Sequence, residues 1–244
     1  MRKTKIICTL GPATDEEGVM EELIKSGMDV ARFNFSHSNH QRQLIRINKL
    51  KELREKHGRH VAALLDTKGP EIRLKEFKNG KVTVNEGDKF TLTTKDIEGD
   101  ETKISVTYKD LPKDLSVGNR VLIDDGLIEL RVDELTDTDI ICTVINGGIV
   151  SSTKGVNVPD VKLAIPYLSE QDKKDILFGI ENEYDFIAAS FVSSASDVLQ
   201  VRRILEENGC YTINIIAKIE NMEGVKNIDE ISANIYPKAI KNPP

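Results

Sequence analysis

The chain has 244 residues, of which 39% are hydrophobic and 30% charged, and its formal net charge is −6. This balance is typical of a soluble globular protein with one large or two medium domains. The 3 separated cysteines exclude a disulfide-rich scaffold and indicate a reducing compartment, and the apolar runs are too short to cross a membrane. We therefore expect a cytoplasmic protein with no membrane partner.

The first third of the sequence is basic, a feature that can indicate nucleic-acid binding. Much of the excess lies in one predicted helix, residues 42–59, where a charge run is typical of a solvated helix face. The whole chain is acidic, aromatic residues make up only 5% and tryptophan is absent, so the chain has few side chains on which single-stranded bases could stack. We expect no nucleic-acid partner and keep RNA binding as an alternative.

The first 69 residues alternate between predicted strands and helices, the pattern of a parallel α/β layer. Strands are predicted over 5–10, 30–35 and 61–67, and the third is apolar enough to be buried on both faces. The spacing Thr14-x-x-Glu17 predicts a capping box that opens the first helix. A second helix is predicted over 40–58.

From residue 70 onward, short alternating strands replace this pattern, separated by turn signals such as Asn79-Gly80. The strands are predicted over 81–84, 89–94, 103–108, 120–123, 127–132 and 140–145. This pattern indicates a small all-β domain inserted into the α/β chain.

The α/β pattern returns at residue 158. The elements predicted there are a helix opened by Ser169-x-x-Asp172, a strand over 185–192, a helix over 196–209, a strand over 213–220 and a short helix over 224–231. The predicted domain organisation is therefore a first α/β part at 1–69, an inserted β domain at 70–157, a second α/β part at 158–231 and a tail at 232–244.

Polar side chains gather at the carboxyl ends of the predicted strands. Side chains alternate across a strand, so Arg32, Asn34 and Ser36 share one face of the second strand. Asp66 and Thr67 end the third strand. Parallel α/β folds bind ligands at the carboxyl ends of their strands, so these residues are candidate site residues.

Lys218 and Glu220 share one face at the end of the fifth predicted strand. A single charged residue at a strand end is typically an exposed surface charge. Charges of both signs at the ends of three buried strands indicate a ligand-binding site. Asn34, Ser36, Asp66 and Thr67 offer oxygen atoms that suit a hard cation. The lack of His and Cys among these four residues disfavours zinc or copper. Glu220 can serve as the single carboxylate of a magnesium ion, and such a site handles phosphate.

Five sequence runs resemble the pyruvate kinase family: CTLGPAT at 8–14, ARFNFSH at 31–37, LDTKGPEIR at 65–73, KGVNVP at 154–159 and IAKIEN at 216–221. The resemblance extends in register over residues 1 to about 231 and covers roughly the first half of a family member. It implies an α/β fold, a partial (β/α)8 TIM-type barrel with five of the eight strands, interrupted after the third strand by a mobile β lid at 70–157.

The resemblance implies phosphoryl transfer from phosphoenolpyruvate to ADP, the glycolytic reaction that gives pyruvate and ATP. Lys218 would be the catalytic residue that neutralises charge on the phosphoryl group, Arg32 would bind the substrate phosphate, and Glu220 would bind Mg²⁺ or Mn²⁺. The residues implied to border the nucleotide are Asn34, Phe35, Ser36, His37, Arg73 and Lys154. The residues implied to hold K⁺ are Asn34, Ser36, Asp66 and Thr67.

After residue 231 the sequence departs from the family pattern and reads SANIYPKAIKNPP, where the family continues into a sixth strand with a second metal carboxylate. Five strands cannot close an eight-stranded barrel, and we expect the C-terminal assembly domain of the homotetrameric family to be missing. We therefore expect a truncated form with impaired activity. The alternative is a non-catalytic remnant that at most binds phosphoenolpyruvate, nucleotide or cation.

Overall fold

The structure is a computed structural model that describes residues 3–161 and 163–235, except for the side chain of His37. The chain forms two compact units: unit 1 is Met1–Pro70 together with Tyr167–Pro244, and unit 2 is Glu71–Pro166. Within the described ranges, no helix combines the length and the apolar character that a membrane span requires.

The secondary structure follows the two units in chain order. The first part of unit 1 contains β1 (Ile7–Leu10), α1 (Val19–Ser26), β2 (Val30–Asn34), α2 (His40–His57) and β3 (Ala62–Asp66). Unit 2 contains β4 (Ile72–Arg73), β5 (Lys81–Val84), β6 (Lys89–Thr93), β7 (Lys103–Ser105), α3 (Leu111–Asp114), β8 (Arg120–Ile123), β9 (Ile128–Leu135), β10 (Asp139–Asn146), β11 (Gly148–Ser151) and β12 (Gly155–Asn157). The second part of unit 1 contains α4 (Glu170–Glu181), β13 (Phe186–Ala189), α5 (Ala195–Glu207), β14 (Asn214–Ala217), α6 (Met222–Lys226) and α7 (Ile228–Ile235).

The sheet of unit 1 has five parallel strands in the order β1-β2-β3-β13-β14. Asn34 pairs with Asp66, and Asp66 pairs with Ala188 on the other side. Because parallel strands point the same way, their carboxyl ends share one edge of the sheet. This register brings residues that are far apart in sequence to one place.

Helices pack on the unit 1 sheet through apolar faces. On α2, Ile47, Leu50 and Leu53 recur at helical spacing and are buried, while most of the helix's charged residues face solvent. The basic excess of the first third is therefore mainly a solvated helix face, and Arg46 is its buried exception.

Unit 2 is built from a seven-stranded sheet, β4-β12-β8-β9-β10-β6-β7, and a two-stranded sheet, β11-β5. Its core includes Phe90, Leu92 and Leu130, which are fully buried. Val158 belongs to this core, and the Ala164 backbone N–H donates to the Asp114 carboxylate at 3.0 Å. The segment that follows β12 is thus part of unit 2.

The predicted capping box at the start of the first helix was wrong. The Thr14 hydroxyl instead bonds both the N–H and the carbonyl of Gly11, each at 2.9 Å, within a 3-10 turn over Pro12–Thr14. Local bonding of this kind competes with helix capping, and α1 begins only at Val19. The box at Ser169 and Asp172 is present, with bonds of 3.1 and 3.0 Å, and it opens α4.

The predicted strands extend past the observed ones at their carboxyl ends. β2 ends at Asn34, because Phe35–His37 forms a 3-10 turn, and β14 ends at Ala217. Ser36 and Glu220 therefore lie in loops, where strand alternation does not determine their direction. The predicted helix over 224–231 is two helices, α6 and α7, and most of the predicted tail, residues 236–244, lies outside the described part of the chain.

Candidate functional site

Charged side chains of both signs meet at the carboxyl edge of the unit 1 sheet. Asp66 Oδ2 accepts a hydrogen bond from Arg32 Nε at 2.6 Å, and Asp66 Oδ1 accepts one from Lys218 Nζ at 3.0 Å. Lys218 Nζ also lies 3.3 Å from Glu220 Oε1. The structure thus brings together four candidate residues, which we call the charged cluster: Arg32, Asp66, Lys218 and Glu220.

The charged cluster has a buried anion and accessible cations. The Asp66 side chain is 3% exposed, whereas those of Arg32 and Lys218 are 35% and 29% exposed. A guanidinium has five N–H donors, and Arg32 directs its donors to Asp66 and, at 2.8 Å, to Thr9 Oγ1. Hydrogen bonds to these acceptors therefore hold the two cations in place. Both cations remain partly open to solvent, from which an anion can approach.

Ser190 belongs to this site, although the sequence analysis missed it by treating 185–192 as one strand. Ser190 is 2% exposed and directly follows β13. Its Oγ accepts a bond from Lys218 Nζ at 2.8 Å and donates to the Thr67 carbonyl at 2.6 Å. A polar residue just after the apolar run FIAA was the available signal, since the same rule identified Asp66.

A strained backbone holds Glu220. Phe191 has a φ of 55°, a left-handed conformation that is rare for a bulky residue and is often found at functional sites. Its N–H donates to Glu220 Oε2 at 2.9 Å, and its carbonyl accepts a bond from Asn221 Nδ2 at 3.3 Å. Asn221 in turn caps α6 by accepting from the Gly224 N–H at 2.7 Å. One oxygen of Glu220 is thereby fixed and the other faces Lys218.

The turn after β2 is anchored through Asn34. Its Oδ1 accepts from the Ser36 N–H at 2.9 Å, and its carbonyl accepts from Gln43 Nε2 on α2 at 3.0 Å. Phe35 packs edge-on against Phe178, with ring centroids 5.8 Å apart. The side chain of His37, a candidate nucleotide contact, lies outside the described part of the structure.

A histidine and an aspartate brace this turn from α2 and α4. His40 stacks on Phe178 at 4.6 Å, and its Nε2 lies 2.7 Å from Asp175 Oδ1. Burial raises the pKa of Asp175, although the bonds from His40 and Gln171 oppose this shift. The pair links the helices on either side of Phe35.

The turn after β3 packs tightly on Ser190. The Ser190 N–H donates to Thr67 Oγ1 at 3.1 Å, and the Thr67 N–H donates to the Ala188 carbonyl at 3.0 Å. Gly69 has a φ of +68°, and a Cβ there would lie 2.9 Å from the Ser190 carbonyl oxygen. Glycine is therefore required at this close approach.

Arg73 and Lys154 belong to unit 2 and are neighbours there. Arg73 pairs with Gly155 in the ladder of β4 and β12. Arg73 Nε donates to Glu71 Oε2 at 2.7 Å, and Lys154 Nζ lies 3.0 Å from Asp124 Oδ1. Both cations thus have carboxylate partners within their own unit.

The oxygen donors of the site suit Mg²⁺ at Glu220 and suit K⁺ only in part. Mg²⁺ commonly takes one or two carboxylates and completes its shell with water and substrate oxygens, which suits Glu220. Asn34, Asp66 and Thr67 offer oxygen donors for K⁺, but both Asp66 oxygens already accept bonds from cations. Among residues 3–161 and 163–235, no group of three or more His, Cys, Asp and Glu residues is arranged to hold a metal ion by itself.

Comparison with known proteins gives the family. Residues 1–235 match the family model described as pyruvate kinase, barrel domain. Pyruvate kinase from Geobacillus stearothermophilus is 51% identical over 232 residues, which is 94% of this chain and 40% of that protein. Pyruvate kinase from Clostridium perfringens is 49% identical over 95% of this chain and 49% of that protein. For Staphylococcus haemolyticus pyruvate kinase the values are 46%, 95% and 40%.

The chain thus spans 40 to 49% of the length of these curated relatives. The match to a barrel domain, together with the five parallel strands, confirms the predicted fold class, a partial (β/α)8 barrel with an inserted β domain. The chain belongs to the pyruvate kinase family.

Proposed function

We propose that the charged cluster binds the phosphoryl group of phosphoenolpyruvate and takes part in its transfer to ADP, giving pyruvate and ATP. The observation that carries this proposal is the placement of Arg32 and Lys218 on opposite oxygens of one buried carboxylate. Two partly exposed cations at the carboxyl edge of the sheet suit a dianionic ligand. Membership of the pyruvate kinase family supports the same reaction.

The proposed roles follow from charge. Phosphoryl transfer requires little covalent chemistry from the protein and depends on fixed positive charge around the transferred group. Arg32 would bind the phosphate through charge-assisted hydrogen bonds. Lys218 would neutralise the phosphoryl group during transfer. Asp66 would keep the two cations close, since without a buried anion they repel each other.

Glu220 would hold Mg²⁺ or Mn²⁺, and Asn34, Ser36, Asp66 and Thr67 would hold K⁺. Bound metal ions would supply further positive charge to the phosphate oxygens. The Phe191 N–H keeps one Glu220 oxygen in a fixed place, which limits the positions that an ion on this carboxylate can take.

For the nucleotide, we propose contacts from Asn34, Phe35, Ser36 and His37 in unit 1 and from Arg73 and Lys154 in unit 2. Residues 70–157 would form the lid domain that carries the latter two. To bind phosphate, Arg73 and Lys154 would exchange part of their bonding to Glu71 and Asp124 for phosphate oxygens.

The proposal is tested by a coupled assay of pyruvate formation from phosphoenolpyruvate and ADP with the purified chain, Mg²⁺ and K⁺. We propose that the chain has impaired activity, which should disappear in Lys218→Met and persist in Lys51→Met, because Lys51 is a unit 1 lysine that pairs with the exposed Glu183. Equal activity in Lys218→Met and wild type would contradict the role of Lys218.

A second candidate function is binding without turnover. The absence of a self-sufficient metal cluster within the described residues favours it, because the charged cluster offers a divalent ion one carboxylate, Glu220, besides Asp66, whose two oxygens accept bonds from Arg32 and Lys218. Phosphoenolpyruvate binding without pyruvate formation would support this candidate. A chain that neither binds nor converts phosphoenolpyruvate would contradict both.

A further inference from the structure

Ser190 lies between Lys218 and the turn that follows β3. Its Oγ is 2.8 Å from Lys218 Nζ, 2.6 Å from the Thr67 carbonyl oxygen and 3.3 Å from Asp66 Oδ1. A serine hydroxyl has one proton, so the shortest of these contacts to an acceptor receives it, namely that to the Thr67 carbonyl. The hydroxyl oxygen then accepts from the ammonium. Two hydrogen bonds in series thus join Lys218 to the backbone of the turn.

The Lys218 ammonium has three N–H donors and three acceptors around it. The acceptors are Ser190 Oγ at 2.8 Å, Asp66 Oδ1 at 3.0 Å and Glu220 Oε1 at 3.3 Å. Asp66 Oδ1 accepts a hydrogen bond from the ammonium, and both carboxylates also attract the ammonium by charge, an interaction that is only weakly directional. Lysine is also a flexible side chain with four carbons. The hydroxyl makes the shortest of the three contacts, and together with the hydrogen bond to Asp66 it gives the ammonium one orientation.

Ser190 itself has little freedom to move. It is buried, its N–H bonds Thr67 Oγ1 at 3.1 Å, and Gly69 packs against its carbonyl and its Cβ. The Gly69 N–H is held in turn by Asp172 Oδ1 at 3.1 Å, and Asp172 is 1% exposed. A rigid support of this kind is what a precisely placed functional group requires.

We propose that Ser190 is a positioning residue, whose hydroxyl holds the Lys218 ammonium in the orientation needed to face the transferred phosphoryl group. The positioning role rests on the proposed function only where it says that the oriented ammonium faces a phosphoryl group. Whether or not substrate is bound, Ser190 restrains an ammonium that would otherwise be more mobile and more reactive.

The test measures the acetylation rate of individual lysines with a succinimidyl acetate reagent, read peptide by peptide by mass spectrometry. A hydrogen bond to a charged group makes a larger free-energy contribution than one between neutral groups. We therefore expect Ser190→Ala to raise the acetylation rate of Lys218 about fivefold or more, while the acetylation rate of Lys51 stays constant. Ser193→Ala is the matched control, because Ser193 lies on the same loop and bonds Asp197 rather than Lys218. This control should leave the Lys218 rate unchanged.

The second comparison uses two variants that keep the space around residue 190 occupied. Ser190→Thr and Ser190→Val are nearly isosteric and differ in the hydroxyl, so Thr should keep the slow Lys218 rate and Val should lose it. This comparison remains decisive if Ser190→Ala unfolds, as monitored by ellipticity at 222 nm. Equal Lys218 rates in the Thr and Val variants, or an equal increase in Ser193→Ala, would overturn the positioning role.

The labelling experiment needs no substrate, metal or turnover. Slow Lys218 labelling that depends on the Ser190 hydroxyl, in a chain that binds no phosphoenolpyruvate, would uphold the restraint and reject the proposed function. Fast labelling in a chain that binds phosphoenolpyruvate would do the reverse. The two failures are therefore distinguishable.

Discussion

Asp66 Oδ1 lies 3.0 Å from Lys218 Nζ although 152 residues separate the two in sequence. The ladder from β3 through β13 to β14 creates this proximity, since Asp66 pairs with Ala188 and Ala189 pairs with Ala217. The contact therefore depends on correct assembly of the parallel sheet, with unit 2 inserted between the two residues in the chain.

Asp66→Asn should destabilise unit 1, because it leaves Arg32 and Lys218 close together without a buried anion. We expect a loss of about 1–3 kcal/mol in the free energy of unfolding, less than for a fully buried pair because both cations are partly solvated. Urea unfolding followed at 222 nm measures this, since the long helices belong to unit 1. Glu52→Gln, which removes a pair between two well-exposed side chains, should change stability by less than about 0.5 kcal/mol. Similar values for the two variants would contradict the prediction.

Gly69→Ala should be more damaging than Gly209→Ala, although the two glycines have similar φ angles of +68° and +64°. Both substitutions place a side chain in the left-handed region, at a cost of about 1–2 kcal/mol. Only the Gly69 Cβ would also meet the Ser190 backbone at 2.9 Å, whereas a Cβ at Gly209 has nothing within 4 Å. The difference between their urea midpoints isolates this contact, and equal midpoints would show that the turn relaxes freely.

Much of the site was predictable from strand ends, and its details were not. Apolar runs located β3 and β14, so Asp66 and Lys218 could be placed at the carboxyl edge from the sequence alone. Ser190 was missed because the pattern over 185–192 does not reveal that the chain turns at Phe191. That turn depends on tertiary partners, Glu220 and Asn221, which no local pattern encodes.

A similar limit applies to Thr14 and to the short strands of unit 2. The Thr14 hydroxyl bonds Gly11 and does not cap a helix, and this bonding depends on the geometry of the preceding turn. β4, β11 and β12 were not predicted. β4 and β12 have only two and three residues, which is too short for an alternating pattern to be detected.

Asp15→Asn should destabilise unit 1 in a pH-dependent way. Arg46 is a buried cation whose Nε and Nη2 donate to the Asp15 carboxylate at 2.7 and 2.6 Å, and these bonds lower the pKa of Asp15 from 3.8. A lowered folded-state pKa gives stability that is present above the unfolded value and lost as pH falls through the folded value. The variant should be less stable by about 1–2 kcal/mol near neutral pH, since Asp15 is partly exposed and the pair is only half buried.

The difference between wild type and Asp15→Asn should stay constant from pH 7 down to about pH 5 and shrink below 3.8. Urea midpoints measured across this range check the sign. A difference that grows on acidification would contradict the assignment of Asp15 as an ionised partner of Arg46.

Cys142 should be inert to alkylation in the native protein. It is fully buried on β10 between β6 and β9, and burial raises the pKa of its thiol to about 12. Only the thiolate reacts, so near pH 8 roughly one molecule in 10,000 carries the reactive form at this position. Iodoacetamide should modify Cys8 and Cys210, which are partly exposed, and should reach Cys142 only after denaturant is added. Native modification of Cys142 as fast as that of Cys210 would show that the unit 2 core is open.

The central claim is that the charged cluster binds phosphoenolpyruvate through Arg32, and calorimetric titration of phosphoenolpyruvate into the purified chain with Mg²⁺ and K⁺ tests it most directly. The matched variants are Arg32→Gln and Arg42→Gln, the second at an exposed arginine on α2. We predict that wild type and Arg42→Gln bind with equal affinity and that Arg32→Gln binds at least about tenfold more weakly, because a charge-assisted bond to phosphate is lost. Equal affinity for Arg32→Gln and wild type, or no binding by the wild type, would contradict the claim.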